Sequence, residues 1–177
     1  MVHSDIAAKD LQVRSYNLFE NQWLLLCSGD YQSGKFNAMT IAWGSIGSMW
    51  SKPFVQVVVR PTRYTYEFLN EYPSFTVTAF PKEYRKALAL LGAKSGRDGD
   101  KITETGLTPV ASQKIAAPTF KEANLTFECE KMFSSDMIPS QFLKDDIFRK
   151  YPEKDYHRIY FGEIVALYGD ASIYSVK

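Results

Sequence analysis

Six runs rich in β-branched and aromatic residues, at 23–28, 36–43, 54–60, 75–80, 120–133 and 156–168, set the tightest limit on how this chain folds. A parallel, doubly wound sheet needs a helix of ten or more residues between successive strands, and that regular alternation is absent. The chain is therefore expected to be mainly β, a barrel with a few appended helices. The first two runs flank Gly29-Asp30-Tyr31-Gln32-Ser33-Gly34-Lys35, which reads as a hairpin turn. Pro61 and Pro81 each end a run, because proline has no N–H to give to a sheet ladder. After Pro61, Thr65 reads as the N-cap of a short helix reaching Glu71. After Pro81, residues 83–91 place Ala87, Leu88, Leu90 and Leu91 on one helical face, with Gly92 as the stop. The glycine-rich, charged stretch 93–101 reads as either an ordered functional loop or a mobile surface loop, and 141–151 as helical or irregular.

At 177 residues the chain is expected to form one domain spanning 1–177. Lys and Arg total 21 against 20 for Asp and Glu, so no net field draws it to nucleic acid or an anionic membrane. The apolar stretch 23–27 is too short for a signal core or a membrane span, and a cytoplasmic location is expected. Cys27 and Cys129 stand apart in apolar surroundings and read as buried thiols. Several motifs fail on inspection. Gly29 to Lys35 fits the first seven positions of a phosphate-binding loop, but Phe36 stands where a magnesium-binding hydroxyl belongs, and strand follows where a helix should. Asp98-Gly99-Asp100 opens like a calcium loop, yet Ile102 and Pro109 occupy ligand positions. His3 and His157 are too few for a zinc or iron site of the usual kind, so no metal is expected.

Two stretches carry chemistry. In 37–44, small and polar residues interrupt what should be a core strand, which leaves room for a flat ring against the backbone. A flavin would suit it, with Asn37 and Thr40 offering polar partners and Trp43 an apolar wall; an edge strand with a bulge is the other reading. In 60–65, Arg60, Arg63, Tyr64 and Thr65 set two guanidinium groups and two hydroxyls before a helix start. That suits a phosphate; a solvated turn with a capping threonine is the alternative.

Taken together, Asn37-x-Met39-Thr40-x-x-Trp43-Gly44, the valine-rich run from Pro53 to Arg60-x-x-Arg63-Tyr64-Thr65, and Leu91-Gly92-x-Lys94-Ser95-Gly96-x-Asp98-x-x-Lys101 resemble the flavin reductase-like FMN-binding split barrels that include the flavoredoxins. The resemblance runs from about Trp23 to Val165 and implies a six-stranded Greek-key barrel that dimerises and holds FMN non-covalently near the subunit interface. It implies Asn37, Ala38, Met39 and Thr40 along the isoalloxazine, Arg60, Arg63, Tyr64 and Thr65 toward the phosphate, and Ser95, Gly96 and Lys101 on a closing loop. His157 corresponds to the histidine of a Gly-Asp-His signature that lies near the nicotinamide, with Asp155 and Tyr156 in place of its first two residues. The implied activity is hydride transfer from NADH or NADPH to flavin, then onward to free flavin or another acceptor. The altered signature favours an electron carrier whose FMN is reduced by a partner protein, with flavin or a small redox partner as acceptor; His157 then reads equally as a hydrogen-bonded barrel residue. A barrel that holds heme is a third reading, with only His3 and His157 as imidazole ligands.

Overall fold

A computed structural model describes residues 3–175. Its centre is one antiparallel sheet of eight strands, of which seven form a continuous path. In chain order the strands are β1 (Ser4–Asp5), β2 (Leu24–Asp30), β3 (Lys35–Ile41), β4 (Gly44–Met49), β5 (Lys52–Val59), β6 (Ser74–Ala79), β9 (Leu125–Asp136) and β10 (Arg158–Gly169), with β7 (Pro109–Val110) and β8 (Thr119–Phe120) forming a separate small pair. The path runs β3-β2-β6-β9-β10-β5-β4, and β1 adds to β10. Its two ends, β3 and β4, are neighbours in the chain, joined only by Ala42 and Trp43. The sheet thus curls until its ends meet without pairing, which is the split of a split barrel.

β2 is buried throughout except at Asp30, because both of its faces are covered. Leu24 and Leu26 point into the barrel with Met39, Val57, Phe75 and Phe127. Leu25 and Cys27 point the other way, into a second core with Ala38, Leu88, Leu91 and Phe120. Helix α2 (Arg85–Ala93) closes this second core, and α1 (Tyr64–Glu71) packs against β2 and β3. Short helices α3 (Lys101–Thr105), α4 (Asp145–Phe148) and α5 (Ala171–Tyr174) complete the chain. Among the described residues no helix is long and apolar enough to cross a membrane.

The structure corrects the sequence reading at several points. Thr65 lies inside α1 and is buried; Arg63 holds the N-cap position, with no side-chain cap. Gly92 does not stop α2 but sits within it, facing β3, where an added Cβ would stand 3.3 Å from Thr40 Cβ. The run 120–133 breaks into β8 and β9 at a turn where Ala123 N–H donates to Phe120 O (3.1 Å). The glycine- and serine-rich β4 was not foreseen, and with it the sheet exceeds the six strands expected. It forms a hairpin with β5 through Trp50 and Ser51, both at positive φ (54° and 58°), a turn that asparagine and glycine usually supply.

Candidate functional site

The site lies along β3, the end strand of the path. One side of β3 pairs with β2, and among the described residues no strand pairs with the other, so part of its main chain is open to a ligand. Of the two readings of 37–44, β3 shows the edge strand, though its register with β2 is unbroken and carries no bulge. Asn37 is buried and donates through Nδ2 to Thr65 Oγ1 (2.7 Å), which ties β3 to the first turn of α1. Thr40 Oγ1 donates to Leu88 O (2.5 Å), which ties β3 to α2. The side chains of Ala38 and Met39 are both buried, one in each core, so only their backbone can face a ligand.

Asn37, Tyr64, Gly96 and Lys101 line a cleft of about 690 Å³, together with Phe36 and Phe68. That volume is within the range of small-molecule and cofactor pockets. The loop between α2 and α3 forms one wall and is held in place. Arg97 pairs with Glu67, covers the Tyr64 ring at 4.9 Å and donates to Thr62 O (3.2 Å), while Ser95 Oγ accepts from Arg97 N–H (3.2 Å). Gly96 is required by contact: a Cβ there would stand 2.2 Å from Asn37 Oδ1 and 3.0 Å from Tyr64 Cδ1. Gly96→Ala is expected to push this loop off β3 and lower ligand affinity about tenfold, at a stability cost of about 1–3 kcal/mol. Ligand titration alongside thermal unfolding checks both effects.

Charges of both signs line the cleft, Lys35 and Lys101 with Glu71 and Asp100, and Lys101 is the buried one. Lys101 is buried and donates to Leu91 O and Lys94 O (3.0 Å each); Arg63 donates to Gly92 O (2.7 Å). Both cations thus sit on the carbonyls that end α2, the negative pole of the helix. Neither has a carboxylate partner among the described residues. Burial, then the Arg63 charge, lowers Lys101 to about 8, and burial, then Arg60, lowers Arg63. The half-buried Arg63 and the buried Lys101 are thus two cations of this region without a carboxylate partner, the kind of group that suits a phosphate or carboxylate.

Arg60, Trp43 and His157 do not line that cleft; they gather in a cluster of their own. Arg60 pairs with Asp155 (2.5 Å), donates to Lys150 O (2.6 Å) and lies over the Tyr151 ring at 4.8 Å. Tyr151 hydroxyl shares a 2.8 Å hydrogen bond with His157 Nδ1, and the half-exposed Trp43 packs on the imidazole with ring centres 5.2 Å apart. Burial, then Arg60, lowers His157 to about 4, so the imidazole is neutral across physiological pH. Tyr151 and Asp155 were missed as partners because their link to Arg60, some 90 positions earlier, leaves no spacing signal.

A family model described as the flavin reductase like domain matches residues 17–175, nearly the whole chain. The chain belongs to the flavin reductase-like family. An uncharacterised protein of Pyrococcus abyssi is 27% identical to this flavin reductase-like chain over 152 residues, covering 84% of it and 74% of the relative. Among solved structures, the flavoredoxin of Methanosarcina acetivorans is similar with a TM-score of 0.66 and 25% identity, over 84% of this chain and 68% of the other. The flavoredoxin of Desulfovibrio vulgaris (Miyazaki F) gives 0.65 and 25%, over 85% and 70%. Split-barrel architecture is thus common to the family and to this flavin reductase-like chain.

Proposed function

We propose that the chain binds FMN along β3 and acts as an oxidoreductase, taking electrons from NADH or NADPH and delivering them to free flavin or another acceptor. The observation that carries this reading is Lys101, a buried cation without a carboxylate partner on the wall of a cleft beside an open strand edge, with Arg63 behind it on the same helix end. The residues fit the group: the cation pair matches a phosphate, the free backbone of β3 matches a pyrimidine edge, and Gly96 leaves space that any Cβ would fill. FMN, when bound, supplies one- and two-electron chemistry.

The protein's part is positioning. Lys101, Arg63 and the Tyr64 hydroxyl hold the phosphate, with Thr65 fixing Asn37. The backbone from Asn37 to Thr40 orients the ring, Trp43 walls its apolar edge, and Ser95 and Gly96 exclude water from above. Arg60, engaged with Asp155, braces the Tyr151–His157 pair. Burial raises the Tyr151 hydroxyl's pKa, so it stays protonated and is able to donate to His157 Nδ1. In that tautomer the neutral imidazole would carry its proton on Nε2, where it would serve as a donor to a nicotinamide amide.

The test is bleaching of the FMN-loaded protein by NADH or NADPH in stopped flow. Reduction no faster than that of free FMN sinks the activity. A second reading, an electron carrier reduced by a partner protein, is favoured by the altered histidine signature, in which Asp155 is already engaged with Arg60. FMN that stays bound and is reduced by dithionite but not by NAD(P)H selects it.

The chain is further proposed to work as a homodimer. Trp50 is 58% exposed and Phe133 48%, and they adjoin Phe161 and Phe54 to form one aromatic patch on the sheet. A patch of that kind calls for a partner surface. Trp50→Glu is expected to give a monomer in analytical ultracentrifugation; an unchanged dimer removes this surface from the interface.

A further inference from the structure

We propose that the cleft between residues 17–22 and the start of α2 is a second binding site, for a small organic anion: a carboxylate or phosphate on a short apolar body. The backbone there is unusual. Asn17–Gln22 form a π-helix, a rare conformation that is frequent at functional sites. Trp23 follows at φ 63° and ψ 153°, a region open essentially to glycine alone. Such a conformation costs about 1–3 kcal/mol and persists only where neighbours enforce it.

Arg85 is the enforcing neighbour. Its guanidinium lies 3.1 Å from the centre of the Trp23 ring and donates through Nη1 to Asn21 O (2.5 Å) and Gln22 O (3.0 Å). One side chain on α2 therefore holds both the strained tryptophan and the end of the π-helix. Two adjoining lobes of about 560 and 500 Å³ open around this assembly, sharing Asn17, Gln22, Phe80, Pro81 and Lys82.

The chemistry of the walls selects the ligand. Arg14, Lys82 and Arg85 contribute positive charge, and no carboxylate lines either lobe. Arg14 and Lys82 have no ion-pair partner among the described residues. In a chain whose cationic and anionic side chains almost balance, a cleft with cations alone is a local departure toward anions. Asn17 and Asn21 add amide donors and acceptors, and Phe80 and Leu88 form an apolar floor. The site is separate from the FMN cleft, whose lining it does not share. The two are joined through α2, because Leu88, under the second site, accepts the hydrogen bond of Thr40 beside the first.

The experiment titrates the full chain with benzoate, phenyl phosphate and benzamide while backbone amide NMR shifts are followed. Saturable shifts at residues 17–23 and 80–88 are expected for at least one anion, with the uncharged benzamide about tenfold weaker or worse. The order of benzoate and phenyl phosphate tells which acidic group the site takes. The double variant Arg14→Ala, Lys82→Ala alters two exposed side chains and is expected to weaken anion binding about tenfold while FMN affinity stays unchanged. No saturation in the tens of millimolar, equal binding of benzamide, shifts located elsewhere, or wild-type affinity in the double variant would each overturn the proposal. The readout needs no bound FMN, so failure of the FMN reading leaves it intact.

Discussion

Lys101→Met is expected to weaken FMN binding about 30- to 100-fold, the value of a lost charge-assisted hydrogen bond of roughly 2–3 kcal/mol. The pH dependence gives the sharper signature. Lys101 loses its proton as pH rises through about 8, whereas the phosphate gains its second charge above about 6. Wild-type affinity should therefore peak between these limits and fall on the alkaline side, by up to about tenfold per pH unit, because binding requires the ammonium form. In the variant that alkaline limb disappears. The stability sign is opposite to the functional one. Folding holds the Lys101 pKa below its ordinary value of 10.5, so the unfolded chain binds more protons between about 8 and 10.5, and wild-type stability rises with pH across that window. Below pH 8 the charge opposes folding, and Lys101→Met should unfold no more easily than wild type by more than about 1 kcal/mol. Fluorescence titration of FMN from pH 6 to 9.5, with denaturant melts of the same samples, separates the two effects. A wild-type affinity that does not decline above pH 8 refutes the assigned role.

The largest loss of stability is expected at a residue far from the ligand. Glu128 is fully buried in β9, where Oε1 accepts from Gln113 N–H and the Tyr168 hydroxyl and Oε2 accepts from Lys114 N–H, all at 2.7 Å. No basic side chain pairs with it among the described residues; the carboxylate is held by hydrogen bonds alone. Glu128→Ala strands the buried Tyr168 hydroxyl, frees two part-buried N–H groups and leaves a void, and a cost of about 3 kcal/mol follows. Glu128→Gln keeps one acceptor and should cost less. Urea denaturation measures both, and hydrogen exchange should show Gln113 and Lys114 opening first. A loss under about 1 kcal/mol in the alanine variant would mean that the 111–118 segment does not depend on this anchor.

The strands with a hydrophobic or β-branched signature were legible because burial selects such residues wherever a sheet is covered on both faces. β2, β5 and β6 show this plainly. β4 was not legible, since Gly44, Ser45, Gly47 and Ser48 carry no strand propensity and the hairpin to β5 imposes the conformation. Thr65 was misread for a related reason. A threonine near a helix start looks like a cap, but here its hydroxyl is taken by Asn37, 28 positions earlier. Asn37, Tyr64, Gly96 and Lys101 could be gathered from sequence only through the family pattern, and the cleft brings these four together. The partition of the remaining candidates was invisible, because Arg60 turns to Asp155 and Tyr151 while Arg63, three positions on, turns to the end of α2.

Both cysteines lie fully buried on central strands, and burial raises both thiols above their ordinary pKa. Since the thiolate is the reactive form, a maleimide or disulfide reagent reaches them only when the sheet opens. Cys27 therefore times the separation of β2 from α2, and Cys129 that of β9 from the barrel interior. Two unmodified residues give the protein its own pair of clocks, able to report whether the end of the sheet that carries the cofactor cleft comes apart before its centre or together with it.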